Sequence, residues 1–501
     1  MTGSVIIALL LAAWLALRLF AKVPARKLLP SAQAPGDTTD TRLGRITTPL
    51  ALANPGLSGV RLIDDPADAL ASRLALIAAA DRWIDLQYYI WRKDSSGYQL
   101  LAELRRAADR GVRVRLLLDD NGIAGLDADL AAINGHDNIE LRLFNPYRIR
   151  KPRAINYLVD FPRLNRRMHN KSFTVDNQAT IIGGRNIGDE YFGRSRISVV
   201  ADLDVIAIGA IVAEVSADFD RYWNCMSAYP AELILPPATA VAVAPPKADS
   251  GGSIEDRLGF ATCEWVHVAM VSDDPAKGLG LARESRLLWP RLLAAIGQPR
   301  ATLGLVSAYF VPTRSGIAAF AKIASRDVRI DILTNSLKAN NVAVVHAGYA
   351  PSRIPLLRAG IRLWELKGAH PERKAKLKLR SGIVRGSVFK SSGTALHAKT
   401  FAVDGERLFV GSFNFDPRSL KTNTEIGFII ASPTMARGLD AMFDGDIAKT
   451  AYEVRLNERG RLYWIEQGDD GEIIHPHEPG TGPLQRAIIA VLCQLPVKWL
   501  L

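Results

Sequence analysis

Apolar and polar positions along this chain fall into the same succession twice. Ile84–Trp91 (IDLQYYIW) is an apolar run rich in aromatic and branched residues, the pattern of a buried strand. Ser96-Gly97 and a helical stretch follow, then a second strand pattern at Gly111–Asp119 (GVRVRLLLD) and a third at Asn138–Phe144 (NIELRLF). In the second half Leu303–Val311 (LGLVSAYFV), Ser315-Gly316, a helical stretch, Asp327–Thr334 (DVRIDILT) and Gly360–Leu366 (GIRLWEL) repeat that order at a nearly constant offset. Strands alternating with helices predict an α/β fold, its sheets covered by helices.

Both ends are apolar. Val5–Leu17 is uninterrupted and continues past Arg18 to Leu19 and Phe20, near the lower limit of the roughly 17–25 residues that span a bilayer. No Lys or Arg precedes it, whereas Arg18, Lys22, Arg26 and Lys27 follow. That favours an uncleaved anchor with its C-terminal side in the cytoplasm over a signal peptide cut after Ala32-Gln33-Ala34, where Pro35 makes a poor site. Leu484–Leu501 is broken at Pro496. It is either a helix packed on its domain or an interfacial segment with Trp499 at headgroup depth. The expected organisation is an anchor or signal segment (1–22), a linker (23–57), a first domain (58–235), a Pro- and Gly-rich linker (236–256), a second domain (257–482) and an apolar terminal segment (483–501).

Composition narrows the class. With 501 residues, 48% apolar and 23% charged, the chain is not disordered, collagen-like or multi-spanning. Cys225, Cys263 and Cys493 lack C-x-x-C spacing, which argues against zinc ribbons and disulfide frameworks. A net charge of +12 favours anionic partners, phospholipid headgroups or nucleic acid.

The chemistry-bearing signal closes each repeat. His169-x-Lys171-x4-Asp176 is followed by Gly183-Gly184-x-Asn186, and His397-x-Lys399-x4-Asp404 by Gly411-Ser412-x-Asn414. The chain has eight histidines, and two share this frame. His169 and Lys171 are two apart in a β-rich run, as are His397 and Lys399, so each pair points to one face of its strand. Asp404-Gly405 signals a two-residue hairpin. A turn centred there pairs Val403 with Glu406, sets His397 across from Ser412 and brings Asn414 alongside. The same register about Asp176-Asn177 sets His169 opposite Gly184, near Asn186. Asp176 and Asp404 then fall at the closed end, roughly 23 Å along an extended strand from their histidines, which suits turn-fixing or ion pairing. The carboxylate that orients each histidine must come from the strand after the asparagine. Asp204 (in ADLDV), with Asp202 competing, and Glu425 (in NTEIG) are the candidates.

Two histidines and two lysines at one point suit phosphoryl chemistry. A neutral imidazole attacks phosphorus, its partner imidazolium protonates the leaving alkoxide, and lysines and asparagines hold the non-bridging oxygens. No acidic cluster with the histidines reads as a two-metal site. One half cannot supply both nucleophile and acid, so the halves are expected to pack motif to motif.

The duplicated H-x-K-x4-D resembles the signature of the phospholipase D superfamily. LNRRMHNKSFTVD, GGRNIGDEYF, SDDPAKG, YFVPTRSG, NVAVVHAGY, LHAKTFAVDG, GSFNFDPRS and the terminal LPVKWLL are similar to segments of the bacterial cardiolipin synthases within it. The resemblance implies two similar halves, each a mixed sheet flanked by helices, with the site at their interface. It implies a phosphatidyltransferase working without cofactor or metal, through a phosphohistidine. Carried over, the catalytic set is His169, Lys171, Asp176, His397, Lys399 and Asp404, with His169 as nucleophile and His397 as acid and base, or the reverse. Asn186, Asn414, Ser412, Asp204 and Glu425 bind phosphate or orient. The implied partners are anionic phospholipids, with phosphatidylglycerol as acceptor and phosphatidylglycerol or phosphatidylethanolamine as donor. The implied place is the bacterial inner membrane, on its cytoplasmic face.

A superfamily phosphodiesterase acting on nucleic acid is the competing reading, supported by the basic stretch Lys367–Lys390. A lipid-binding scaffold is a third, disfavoured by two intact motifs. Arg163, Arg166 and Arg167 either hold a second lipid's phosphate or line a solvated loop. His346 is either a core histidine or a substrate contact, and Ser272–Gly278 has no role derivable from its residues.

Overall fold

The computed structural model describes residues 2–25, 32–34, 36–195, 199–237, 253–340, 342–368, 395–468 and 471–495. The sequence repeat becomes a structural one. In the first sheet of nine strands, Ser58–Ile63 is followed by Asp204–Gly209, Ala179–Gly183, Ser172–Val175, Trp83–Ile90, Arg113–Gly122 and Ile139–Phe144. In the second, of ten strands, the corresponding order is Val268–Ser272, Ile426–Ile430, Arg407–Gly411, Lys399–Val403, Thr302–Ser307, Arg329–Asn335 and Arg362–Leu366. In each sheet the last three strands named run parallel and the hairpin beside them antiparallel. Each sheet is thus mixed, and the fold is two similar α/β halves.

Local chemistry explains the crossover helices. Ser95–Asp109 starts where the Asp94 carboxylate accepts from Gly97 N–H, and Arg314–Ala324 where the Thr313 hydroxyl accepts from Gly316 N–H. Each half keeps a core between sheet and helices, with Leu86, Leu104 and Phe173 in the first and Leu305, Phe401 and Phe409 in the second. A third core joins the halves. Ile182, Val205 and Ala207 of the first sheet pack with Leu408, Val410 and Phe428 of the second. Both sheet faces are therefore buried, and the two hairpins are set face to face.

Two expected boundaries move. Thr38, Leu43 and Thr47 are buried and Arg42–Ala53 is helical, so the later part of the 23–57 linker belongs to the first half. Glu264–Val266 pairs with Ser58–Val60 at the edge of the first sheet, while Val268–Ser272 joins the second. The described chain therefore changes from the first sheet to the second at His267. At the end, Pro483–Gln494 packs through Ile489 against Leu337 and Ala347, leaving Leu484, Ile488 and Val491 exposed. Thr2–Phe20 is a helix with exposed Ile7, Leu10, Leu19 and Phe20. No helix among the described residues is long and apolar enough to cross a membrane. Apart from Lys367, the basic stretch to Lys390 lies outside the described residues, as do 238–252 and Trp499.

Candidate active site

Each motif histidine opens its hairpin. Both turns carry two left-handed residues in succession, Asp176 and Asn177 (φ 50° and 51°) and Asp404 and Gly405 (φ 56° and 61°), as a type I′ turn requires. One extra residue follows. Gln178 N–H donates to Val175 O and Glu406 N–H to Val403 O, yet the ladder resumes with Val175 opposite Ala179 and Val403 opposite Arg407. This corrects the expected register by one residue. Extended to the histidines, it sets them across from Arg185 and Phe413 instead of Gly184 and Ser412.

The motif aspartates sit at the far end, as the strand length requires, and do not reach the histidines. The Asp176 carboxylate accepts N–H bonds from Asp81, Arg82 and Trp83 (2.9, 2.9 and 2.8 Å). Asp404 accepts from Arg300, Ala301 and Thr302 (2.9, 2.7 and 3.1 Å). Each carboxylate pins the start of the strand beside its hairpin. Their inclusion with the catalytic set is corrected to a structural position. Asp176→Ala orphans three backbone donors, and at roughly 1–3 kcal/mol for an unsatisfied buried donor the expected loss is about 3 kcal/mol. A lowered urea midpoint, with kcat/KM of the folded fraction held within a few-fold, is the expected readout.

At the open end the two halves exchange partners. His169 Nδ1 lies 2.9 Å from Glu425 Oε2, and His397 Nδ1 lies 2.5 Å from Asp202 Oδ2. The backbone is crossed in the same way. His169 N–H donates to Thr424 O (2.9 Å) and His397 N–H to Ala201 O (2.7 Å), the residues just before those carboxylates. Val200–Ala201 and Ala395–Leu396 form a two-stranded parallel ribbon that holds the second crossing. Each imidazole is thus oriented by the opposite half, and its Nε2 is left for chemistry.

Asp204 is not an orienting group. It faces Gly183 in the ladder and ion-pairs with Arg73 at 2.9 Å. The ladder register separates it from Asp202. Gly427 faces Gly411 as Asp204 faces Gly183, so Glu425 and Asp202 each stand two residues earlier. Gly184 serves this geometry, because a Cβ there would lie 2.1 Å from Asp202 Oδ1. Ser412, its counterpart, donates to Glu425 Oε2 (2.5 Å), and Ser419 donates to Oε1 (2.8 Å).

The remaining residues surround these pairs. Lys171 Nζ donates to His169 O at 2.6 Å, and Lys399 Nζ donates to His397 O. Asn186 Oδ1 accepts from Ile90 N–H (3.1 Å), and its Nδ2 donates to the Tyr191 hydroxyl (3.1 Å). Tyr191 packs edge-on against His397, and Tyr89 against His169, with centroids 5.3 and 5.1 Å apart. Asn414 Oδ1 accepts from Tyr309 N–H (3.4 Å). The asparagines therefore tie the hairpins to the neighbouring strand ends.

Burial dominates the electrostatics. It holds His169 well below its ordinary value, reinforced by Lys171 and Lys399. It brings His397 down to about 4, with Lys399 adding and Asp202 opposing. Lys171 is pushed down to about 7 and Lys399 to about 8 by burial, against the pull of Glu425 and Asp202. The carboxylates differ. Burial pushes Glu425 up. Burial also opposes ionisation of Asp202, but His397, Lys399 and Arg185 outweigh it and keep that carboxyl well below the usual range. Among the described residues, no group of three or more His, Cys, Asp or Glu side chains could hold a metal ion.

Supporting residues without a legible role now have one. In Ser272–Gly278, Asp273 Oδ2 accepts from Glu425 N–H and from Lys277 Nζ (both 2.9 Å), and Lys277 also donates to Ser419 O (2.8 Å). Arg167 is buried on Asp119 (2.6 Å), whose other oxygen accepts from Met168 N–H beside His169. Arg166 donates to Lys277 O and Lys421 O across the halves, and Arg163 pairs with Asp160. Arg167 is therefore a buried brace, while Arg163 and Arg166 stay partly exposed. His346 is a core histidine, completely buried against Glu478 (2.8 Å) and Arg353 (3.0 Å).

Comparison with known proteins places this geometry. The family model described as "Cardiolipin synthase, PLD-like domain" matches residues 74–223 and 292–447, one match for each hairpin. The chain is 44% identical to cardiolipin synthase C of Escherichia coli (strain K12), over 92% of this chain and 100% of that protein. It is 25% identical to a cardiolipin synthase of Staphylococcus aureus (strain Mu50), over 78% of this chain and 67% of that protein. The crystal structure of a phosphatidylserine synthase from Haemophilus influenzae Rd KW20 shares the fold, with a TM-score of 0.50 at 13% identity, covering 81% of this chain and 91% of that one. The chain therefore belongs to the phospholipase D-like cardiolipin synthase family.

Proposed function

We propose that this chain transfers the phosphatidyl group of one phospholipid to the headgroup hydroxyl of phosphatidylglycerol, and that His169 is the nucleophile and His397 the proton carrier. The observation that carries the assignment is the unequal pair of crossed carboxylates. Ionised Asp202 pulls His397 back up against burial, which still leaves it neutral in the free protein, whereas His169 lies well below its ordinary value beside a Glu425 that burial pushes up.

In the first step His169 Nε2 attacks phosphorus and the bond to the headgroup alcohol breaks. His397 gives its proton to the departing oxygen. The arriving phosphodiester anion is a second negative charge beside His397 and draws that proton to it. In the second step neutral His397 takes the proton of the acceptor hydroxyl, whose oxygen attacks phosphorus as the P–N bond breaks. Lys171 and Lys399 neutralise charge on the non-bridging oxygens.

The test is turnover in mixed micelles of phosphatidylglycerol with and without phosphatidylethanolamine, followed by lipid mass spectrometry. Cardiolipin is expected. A yield that rises with phosphatidylethanolamine would make it a donor. Phosphatidic acid alone, or DNA cleavage without lipid turnover, would contradict the assignment.

A pH prediction follows from the lysines. Their depressed values mean that the free protein loses these charges above about 7 for Lys171 and about 8 for Lys399. Because kcat/KM reports the free enzyme, it is expected to fall across pH 7–8, well below the ordinary lysine range. A profile flat to pH 10 would contradict this.

A place at the membrane surface is supported by the exposed apolar side chains of the Thr2–Phe20 helix, whose Trp14 Nε1–H donates to Leu158 O (3.2 Å). Arg18 and Lys22 after the run support the cytoplasmic face.

A further inference from the structure

We infer that the second half carries a binding groove for one acyl chain of the phospholipid whose phosphate meets the histidines. This rests on the phosphatidyl-transfer reading. A cavity of about 380 Å³ lies between the Leu288–Ile296 and Arg314–Ala324 helices and the face of the second sheet, within the size range of small-ligand sites. Its floor is aromatic. Trp289 stacks on Phe413 at 5.5 Å, and Phe415 meets Phe401 at 5.7 Å and Phe320 at 6.2 Å. The side chains that line it are aliphatic or aromatic apart from Thr313 and Ser315, whose hydroxyls bond each other at 2.8 Å.

The groove is lined by residues that neighbour the candidate site along the chain. Phe401 follows Lys399 by two residues and shares its face of the strand. Phe413 and Phe415 flank Asn414, and Leu420 follows Ser419, whose hydroxyl holds Glu425. From there it runs past Phe401 to Val403 and Leu303 at the turn end. That is about 13 Å of strand, a length suited to an extended chain.

The first half differs at the matching place. Phe173, Arg185 and Ile187 stand where Phe401, Phe413 and Phe415 stand, and Arg185 there donates to Ile63 O. The covering helix there is Pro66–Ala79, 14 residues long, against 9 residues for Leu288–Ile296. The shorter cover, ending at Gly297 with a positive φ of 73°, leaves the groove open. A phosphatidyl group held on a histidine must keep two apolar chains out of water, and this apolar groove begins on the residues next to the motif strand and Asn414.

The experiment uses the full chain and a phosphatidyl donor with a p-nitrophenol leaving group, so that nitrophenol release reads the donor alone. Dihexanoyl and dioleoyl donors are compared in the same micelles. Ala319→Trp fills the groove from its exposed wall, and Leu293→Asp, at a side chain 48% exposed, puts a charge on its opposite wall. Relative to the unaltered chain on the same donor, both variants are expected to lose at least tenfold in kcat/KM on dioleoyl and less than twofold on dihexanoyl. In parallel, phosphatidylglycerol with a diazirine near the chain end is expected to label Trp289, Leu293 or Phe415. Equal losses on both donors, or labelling elsewhere, would overturn the groove. If the unaltered chain releases no nitrophenol, the transferase reading fails, and the label alone decides whether the groove takes an acyl chain.

Discussion

With a p-nitrophenyl phosphatidyl donor, His397→Ala is expected to release one equivalent of nitrophenol per chain and then stall, while His169→Ala releases none. The difference follows from the separate tasks. A good leaving group needs no proton, so loss of His397 spares the first step. Transfer to a hydroxyl still needs a base, so the intermediate persists. With a natural phospholipid donor both variants are expected to fall by about four orders of magnitude or more, because the members of such a constellation act as a unit. If the assignment of nucleophile and proton carrier is reversed, the two traces exchange places. Equal small losses in both variants would remove the histidines from the chemistry.

The crossed carboxylates yield the second large effect. Glu425→Gln is expected to slow nitrophenol release, and Asp202→Asn to leave the first equivalent intact and slow transfer. Each loss is expected at about 10²–10⁴, the scale for an orienting carboxylate replaced by its amide, where the wrong imidazole tautomer is held. The sign of the pairing is what matters. Were each histidine served by its own half, Asp202→Asn would be the variant that slows the first step. Glu425 is additionally gripped by Ser412, Ser419 and the Asp273–Lys277 pair. Ser419→Ala is therefore expected to weaken the first step by a smaller factor, since one hydroxyl and the backbone brace remain.

What was legible in the sequence was what depends on neighbours along the chain. The period-2 spacing of His169 and Lys171, the turn at Asp404-Gly405 and the repeated strand order are local patterns, and the structure follows them. The expected register is off by one because a two-residue turn fixes it only when pairing resumes at once, whereas Gln178 and Glu406 each add a residue before it does. Asp202 and Asp204 cannot be ranked from their own strand, where both are acids beside apolar residues. The choice depends on which side meets the other half, and there Asp204 is taken by Arg73 and the Arg185 backbone N–H. Arg167 reads as solvated for a similar reason. Its partner Asp119 is 48 residues away, on a strand whose end carries no distinguishing mark. The roles of Asp273 and Lys277 are likewise non-local, since they act on Glu425 from the far side of a sheet edge.

The most direct test of crossed, covalent phosphatidyl transfer is the intact mass of the His397→Ala chain after mixing with the nitrophenyl donor, followed by peptide mapping under conditions that preserve phosphoramidates. The expected result is one phosphatidyl adduct, on the peptide that contains His169, cleared neither by phosphatidylglycerol nor by water. An adduct on any other residue, or full turnover by the His397→Ala chain with no adduct at any time, would contradict the account.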